Sequence, residues 1–370
     1  MGKLLRLLVV NFVVLFALWC LVAGLRALGR DLFTALSPRG VPAAWRLDLP
    51  SFPDREAARR ILAEQAAAPV EFVPFVEWRH APFAGETLTI DTEGRRTHAH
   101  REDGESVSFF GGSAMWGEGV TDDETIPALF DALTTGYAVT NYGEHGWTSR
   151  QSLAQLVNLV RLDEVPRIVV FYDGFNEVVH LCDAANASGV NGTSQERRMR
   201  ERLGRERHSE IWTHLVAPFL PDGFGQPPRD RYACLSDPAR AAAVADALVR
   251  TWDLAHLVVA SRGGRFQAFL QPNAHVGSPR IDYLPANESR DLRDRDRFVA
   301  QFAAVYPRVR AALATRPWGA DLTDAFDGDR PLYTDAVHVN AEGNAIIARR
   351  ILAALEAQGA LRPDGASGWD

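Results

Sequence analysis

Three side chains that lie far apart in the sequence, Ser113, Asp335 and His338, could together activate a hydroxyl group as a nucleophile. A serine hydroxyl is a poor nucleophile at neutral pH, and it needs an adjacent base that a third group orients. Asp335 and His338 lie three residues apart, just before an amphipathic helix pattern. On one tight turn the carboxylate can therefore reach one imidazole nitrogen while the other faces outward. The pair alone could equally be a helix-capping aspartate and an exposed histidine.

The sequence around Ser113 predicts where its hydroxyl lies. Residues 107–113 read Val-Ser-Phe-Phe-Gly-Gly-Ser, and a helix-like pattern starts soon afterwards. This order places Ser113 at the carboxyl end of a strand, where open α/β sheets hold ligands and nucleophiles. The two glycines allow a sharp turn and leave space beside the hydroxyl. Gly-Gly-Ser is also common in ordinary loops, so the motif alone is a hypothesis.

Candidate donors for an oxyanion follow the next two predicted strands. A tetrahedral intermediate needs hydrogen-bond donors aimed at its negative oxygen. Gly143 and Gly146 follow the apolar run 137–140, and Asn176 follows the run 167–172. A glycine presents its backbone N–H without a side chain in the way, and an asparagine amide donates without carrying charge. Each segment alone is also typical of an ordinary strand-to-helix turn.

Taken in order, these segments resemble the SGNH (GDSL-type) hydrolase family, which is named for a Ser, a Gly, an Asn and a His in four separate blocks. Ser113 fits the first block and Gly146 the second. Asn176 fits the third, and Asp335 with His338 fits the last.

The resemblance covers about residues 105–358, and three features qualify it. Gly112 stands where the family's name motif has Asp, and Glu177 stands where an Asp is usual. Neither position carries the chemistry. Gly143 competes with Gly146 for the second block.

The resemblance implies a fold and a role for each residue. The fold is α/β, a flavodoxin-like doubly wound parallel sheet of about five strands. Ser113 would attack an acyl carbonyl, and His338 would take its proton and return it to the leaving alcohol, while Asp335 holds the His338 tautomer. The N–H groups of Ser113 and Gly146 and the side chain of Asn176 would form the oxyanion hole. No metal or organic cofactor is implied.

The chain opens with an apolar segment, residues 7–25, that is interrupted only by Asn11. Nineteen residues at 1.5 Å each span about 28 Å, close to the hydrocarbon thickness of a bilayer. We therefore expect an uncleaved membrane anchor over 4–25 rather than a signal peptide, since no clear small-x-small cleavage site follows. Lys3 and Arg6 favour an inside amino terminus, although two arginines beyond the segment dilute that bias. The large domain would then face the periplasm or the cell exterior.

Composition and motif spacing divide the rest of the chain into four parts. They are a juxtamembrane linker (26–50), a small α/β appendage (51–104), a hydrolase domain (105–358) with an insertion (181–238), and a loose tail (359–370). The insertion contains a mixed-charge, arginine-rich stretch, which is typical of a solvated helix and could alternatively be a lid. Cys182 and Cys234 bracket the insertion and could pair in an oxidising compartment or remain buried thiols.

The composition narrows the class of function. With 46% hydrophobic and 24% charged residues the chain is an ordinary globular protein, and its net charge of −7 argues against a general nucleic-acid binder. We expect a serine esterase or acetylesterase that acts on acylated small molecules or cell-surface glycans. The alternatives are an O-acyltransferase with the same triad, a lysophospholipase or thioesterase, and a non-catalytic envelope scaffold. The sequence predicts contact with the membrane through the N-terminal helix and does not identify a protein partner.

Overall fold

The computed structural model describes residues 44–99, 103–184, 186, 230–285 and 295–361, and single positions between 2 and 19. Residues 40–193 and 229–370 form one compact unit, and residues 1–39 with 194–228 form another. The single positions near the amino terminus are helical. The elements below all belong to the larger unit.

The larger unit alternates strands and helices along most of its length. Its strands are β1 (Val70–Val73), β2 (Glu77–His80), β3 (Phe83–Ala84), β4 (Thr89–Ile90), β5 (Glu105–Gly111), β6 (Tyr137–Gly143), β7 (Ile168–Asp173), β8 (Arg265–Leu270) and β9 (Gly319–Asp321). Its α-helices are α1 (Arg55–Ala67), α2 (Ser113–Trp116), α3 (Ile126–Leu133), α4 (Ser149–Leu162), α5 (Phe175–Leu181), α6 (Ala233–Ser236), α7 (Pro238–Ser261), α8 (Arg295–Leu313) and α9 (Ala341–Ala357).

Five of these strands form one parallel sheet in the order β6-β5-β7-β8-β9. Every residue of β7 is buried, as expected for a strand that is covered on both faces. Successive β7 side chains point to opposite faces, so Val170 packs with α3 and α9 while Val169 packs with α4, α7 and α8. The predicted doubly wound, flavodoxin-like parallel sheet is confirmed.

The last strand of the sheet was not indicated by the sequence. β9 has only three residues, Gly-Ala-Asp, and none of them is fully buried. It pairs with the carboxyl-terminal half of β8. A strand this short at a sheet edge has no apolar run that could reveal it.

The segment before the sheet differs from the prediction in two places. The apolar run 72–79 predicts one strand, but the chain reverses at Phe75, which has a φ of 73°, and β1 and β2 form a hairpin there. The end of the predicted linker 26–50 has regular structure. Residues Ala44–Asp48 form a 3-10 helix, and Leu47 and Leu49 are buried in the same apolar cluster as one face of the sheet.

Several predicted parts lie wholly or largely outside the described residues. They are the membrane anchor (4–25), most of the insertion (181–238) and the tail (359–370). In the portions of the chain that can be described, no helix has the length and apolarity needed to cross a membrane. At the ends of the insertion, Cys182 and Cys234 form a disulfide with their Cα atoms 5.1 Å apart. The sequence left open whether these cysteines pair or remain buried thiols, and in the structure they pair.

Candidate active site

Ser113 lies where the sequence predicts. Strand β5 ends at Gly111, Gly112 is the N-cap residue, and Ser113 is the first residue of α2. The backbone N–H of a first-turn residue has no acceptor within its own helix, so it can point at a ligand. The helix ends after one turn because Gly117 takes a left-handed conformation with a φ of 100°. This glycine lets the chain turn away directly behind the nucleophile.

The loop before α9 orients His338. Asp335 Oδ2 lies 2.7 Å from His338 Nδ1, and Asp335 Oδ1 accepts hydrogen bonds from the backbone N–H groups of Val337 and His338. Thr334 N–H donates to the His338 carbonyl and closes the turn. The helix-cap alternative is wrong, because Asn340 caps α9. His338 is also buried rather than exposed, with 7% of its surface accessible.

The three predicted catalytic residues meet at one point. His338 Nε2 lies 2.7 Å from Ser113 Oγ, although the two residues are 225 positions apart in the sequence. The histidine therefore contacts the hydroxyl with one ring nitrogen and the Asp335 carboxylate with the other. This is the geometry in which an imidazole can remove the hydroxyl proton while a carboxylate fixes its tautomer.

Two charged residues that the sequence did not indicate complete the site. Glu118 Oε2 lies 3.3 Å from His338 Nε2. Arg46, from the 3-10 helix, donates to Glu118 Oε1 and to Asp335 Oδ2, both at 3.1 Å. Glu118 lies five positions after the nucleophile, in a turn that no sequence motif marks. Arg46 lies in the predicted linker. No spacing in the sequence connects either residue to His338.

These charges shift the pKa values at the site. Burial acts to lower the pKa of His338, but the carboxylates of Asp335 and Glu118 outweigh it, and the pKa is raised. Burial acts to raise the pKa of Asp335, but His338 and Arg46 reverse this, and the pKa is well below its usual range. The pKa of Glu118 is also lowered, because His338 and Arg46 outweigh its burial. The site therefore favours an imidazolium between two carboxylates.

The third block places Asn176 beside the nucleophile. Asn176 is the second residue of α5, and its Nδ2 donates to the Trp147 carbonyl at 2.7 Å. A Cβ atom at Gly112 would lie 2.3 Å from that nitrogen, so the amide sits against the residue that precedes Ser113. Gly146 has a φ of 68° and immediately precedes Trp147. The three predicted oxyanion donors thus come from adjoining segments, and their role in catalysis stays a prediction.

The competing glycine of the second block has other contacts. Gly143 N–H donates to Asn141 Oδ1 at 2.8 Å. A Cβ atom at Gly143 would lie 2.4 Å from the Trp116 nitrogen, so this glycine allows β6 to approach α2 closely. These contacts favour Gly146 over Gly143 as the donor.

Glu177, which stands where the family usually has Asp, joins two of the loops at the site. Its carboxylate accepts from the N–H groups of Ser149, at the start of α4, and Gly174, at the end of β7. Burial raises the pKa of Glu177, although these hydrogen bonds to the carboxylate act to lower it. The departure from the family pattern therefore falls on a buried structural contact.

A metal ion is the other species that such a cluster could hold. One ligand atom each from Glu118, Asp335 and His338 lie within 4.8 Å of one another. However, the ring nitrogens of His338 already contact Ser113 and Asp335, and Arg46 already contacts both carboxylates. This donor set fits proton transfer better than metal binding, and the absence of a metal requirement stays a prediction.

Among known proteins, the chain is similar to solved structures, while the family models and the curated proteins give no match. Similar solved structures include a carbohydrate acetylesterase family member from Sinorhizobium meliloti, at 15% identity over 70% of this chain and 100% of the other, with a TM-score of 0.37. A member of the lipolytic G-D-S-L family from Veillonella parvula is 17% identical over 67% and 97%, with a TM-score of 0.37.

An acetylxylan esterase from Geobacillus stearothermophilus is also similar, at 17% identity over 68% and 94% of the two chains, with a TM-score of 0.32. Acetylesterases and a member of the lipolytic G-D-S-L family are thus among the proteins that the chain is similar to. At these identities and TM-scores, the function has to be inferred from the geometry of the site.

Proposed function

We propose that the protein is an SGNH-type serine esterase that hydrolyses acyl esters through an acyl-enzyme. The observation that carries the proposal is the continuous contact from Ser113 Oγ to His338 Nε2 and from His338 Nδ1 to Asp335, each at 2.7 Å. Its supports are the position of Ser113 at the carboxyl edge of a parallel sheet and the lowered pKa of Asp335, which keeps that carboxylate charged.

The reaction follows from this geometry in two halves. Ser113 Oγ attacks the acyl carbonyl and its proton passes to His338 Nε2, while Asp335 stabilises the imidazolium. The same proton then passes to the leaving alcohol as its bond to the acyl carbon breaks. A water molecule repeats the sequence on the acyl-enzyme and releases the acid. The N–H groups of Ser113 and Gly146 and the Asn176 amide would hold the negative oxygen in both halves.

The proposed substrate is an O-acetyl ester on a cell-surface glycan. The proposed location of the domain outside the cytoplasm supports this choice. The Cys182–Cys234 disulfide fits an oxidising compartment outside the cytoplasm. Three of the apolar side chains near the amino terminus, Val10, Phe12 and Phe16, are each more than half exposed. Lipid would cover such side chains, as proposed for an anchor over 4–25.

The esterase proposal is tested with the full chain in mild detergent. We expect turnover of p-nitrophenyl acetate to exceed that of the decanoate, and acetate to be released from acetylated xylan. Ser113→Ala should lower kcat by about 10⁴-fold or more, because triad members act as a unit. Ser261→Ala, an exposed serine at the end of α7, is the control and should match the wild type. Activity retained by Ser113→Ala would refute the proposal.

The membrane topology has its own test. Alkaline phosphatase fused to the carboxyl terminus should be active, and green fluorescent protein fused at the same place should be dark, if the domain lies outside the cytoplasm. Exchanging Lys3 and Arg6 for Glu should weaken this orientation. A fluorescent fusion with an inactive phosphatase would show that the domain is cytoplasmic.

A further inference from the structure

The His338 imidazole has a second acidic neighbour at the nitrogen that must carry the proton. Nε2 lies 2.7 Å from Ser113 Oγ and 3.3 Å from Glu118 Oε2. In an ordinary triad the only carboxylate contacts the opposite ring nitrogen. Glu118 is 21% exposed, so much of its charge is shielded from water and acts strongly on a group this close.

Arg46 ties the two carboxylates together. Its guanidinium donates from Nη1 to Glu118 and from Nη2 to Asp335, and 18% of its side chain is exposed. With the imidazole neutral, two carboxylates and one guanidinium give the site a formal charge of −1. A triad with one carboxylate has the same charge, so Arg46 offsets the charge that Glu118 adds.

We propose that Glu118 and Arg46 act through His338 as a charged pair, in which Glu118 holds the Nε2 proton during turnover and Arg46 limits the negative charge around the ring. This inference rests on the proposed esterase function. When Ser113 attacks, its proton moves to Nε2 and the ring becomes positive between Asp335 and Glu118. When the leaving oxygen takes that proton, the ring becomes neutral again and no charge is gained or lost overall.

A further titratable group near this pair is His145. Its Nε2 lies 3.8 Å from Glu118 Oε2, and its ring stacks edge-on against Trp116. Burial lowers the pKa of His145 to about 4, so this histidine is neutral above about pH 5. Within that pH range, the charges among the described residues that act on His338 are those of Asp335, Glu118 and Arg46.

The proposal predicts shifts of opposite sign. The enzyme needs neutral His338, so kcat/KM rises with pH through the pKa of this residue. Glu118→Gln removes a negative charge and should lower the pKa on this acid limb by about 1 unit. Arg46→Met removes a positive charge and should raise it by about 1 unit. Arg46→Lys keeps the charge, so its acid-limb pKa should stay near the wild-type value. The acid-limb pKa of the double variant Glu118→Gln/Arg46→Met should return toward that value.

The measurement is kcat/KM for p-nitrophenyl acetate from pH 5 to 9, on the full chain in mild detergent. Glu105→Gln is the matched control for Glu118, because Glu105 is similarly buried and ion-paired but lies at the opposite end of β5 from Ser113. Arg316→Met is the control for Arg46, since Arg316 also donates two hydrogen bonds to carboxylate oxygens, both of them of Asp253. Neither control should move the acid limb.

Acid-limb pKa values that move in opposite directions in Glu118→Gln and Arg46→Met support the proposal. An acid-limb pKa that does not move, or that moves in the same direction in both variants, overturns it. If Glu118→Gln does not fold, the comparison of Arg46→Met with Arg46→Lys decides, because equal shifts in these two would exclude a charge effect. Loss of activity with EDTA that a divalent cation restores would also overturn it. If wild-type turnover depends on Ser113 but the limbs do not move, this inference fails alone. If turnover does not depend on Ser113, the proposed function fails.

Discussion

Gly112 leaves the space in which the Asn176 side chain sits beside the nucleophile. Any side chain at position 112 would collide with Asn176 Nδ2, which a Cβ atom would approach to 2.3 Å. An amide nitrogen carries two N–H donors. The Trp147 carbonyl accepts one of them at 2.7 Å, which fixes the amide and leaves the other donor for a substrate oxygen.

Asn176→Ala should therefore lower kcat by about 100- to 1000-fold with little change in KM, as for the loss of one oxyanion donor. Asn176→Asp keeps the shape but brings a negative charge to the oxyanion, and should cost at least as much activity. Steady-state kinetics on p-nitrophenyl acetate give both values. A kcat within threefold of the wild type in Asn176→Ala would exclude Asn176 from the oxyanion hole.

At this scale the sequence predicted the residues whose chemistry is tied to local spacing. Asp335 and His338 share one turn, and Ser113 follows a strand directly, so their positions could be inferred from neighbouring residues. Glu118 and Arg46 could not be predicted. Arg46 and Glu118 are 72 positions apart in the sequence, and they meet because the 3-10 helix packs against the turn after α2.

Among the elements, the segment before the sheet supports the turn that follows the nucleophile helix. The guanidinium of Arg96 is buried, and it donates to Asp122 and to the carbonyls of Gly117 and Val120. It also stacks on Trp116, the last residue of α2. Arg96 therefore connects residues 51–104 to the turn that contains Glu118.

Arg96→Met should lower the free energy of unfolding by about 3 kcal/mol, because it removes the charged partner of Asp122 and leaves Gln65 Nε2 as the remaining side-chain donor to the Gly117 and Val120 carbonyls. Its neighbour Arg95 is the control. Arg95 pairs with Asp91 nearer the surface, and Arg95→Met should cost less than about 1 kcal/mol. Urea unfolding followed by tryptophan fluorescence measures both. Equal losses in the two variants would show that Arg96 is no more than an ordinary surface contact.

Element boundaries were predictable where an apolar run or a cap marked them. A helix pattern over 239–261 that ends at the glycine pair 263–264, and the apolar run 265–270 after it, predict helix α7 and strand β8, and both lie there. The β1–β2 hairpin was missed because the reversal at Phe75 uses a positive φ without a glycine. The 3-10 helix at 44–48 was missed because the residues before it include prolines and a glycine, which are typical of a linker.

For the whole molecule, the resemblance of four sequence segments to the SGNH family implied the doubly wound sheet, and the strand order β6-β5-β7-β8-β9 confirms it. The disulfide could only be left open, since two cysteines 52 positions apart can pair or remain reduced. In the structure it closes the base of the insertion. This bond supports the proposal that the domain works in an oxidising compartment.

The most direct test of the central claim is covalent labelling of Ser113. The full chain in mild detergent would be treated with a fluorophosphonate probe, and the adduct would be mapped by mass spectrometry. Our account predicts one adduct, on Ser113, which is absent in Ser113→Ala and forms far more slowly in His338→Ala. A folded protein that gives no adduct, or that labels equally fast without His338, would contradict it.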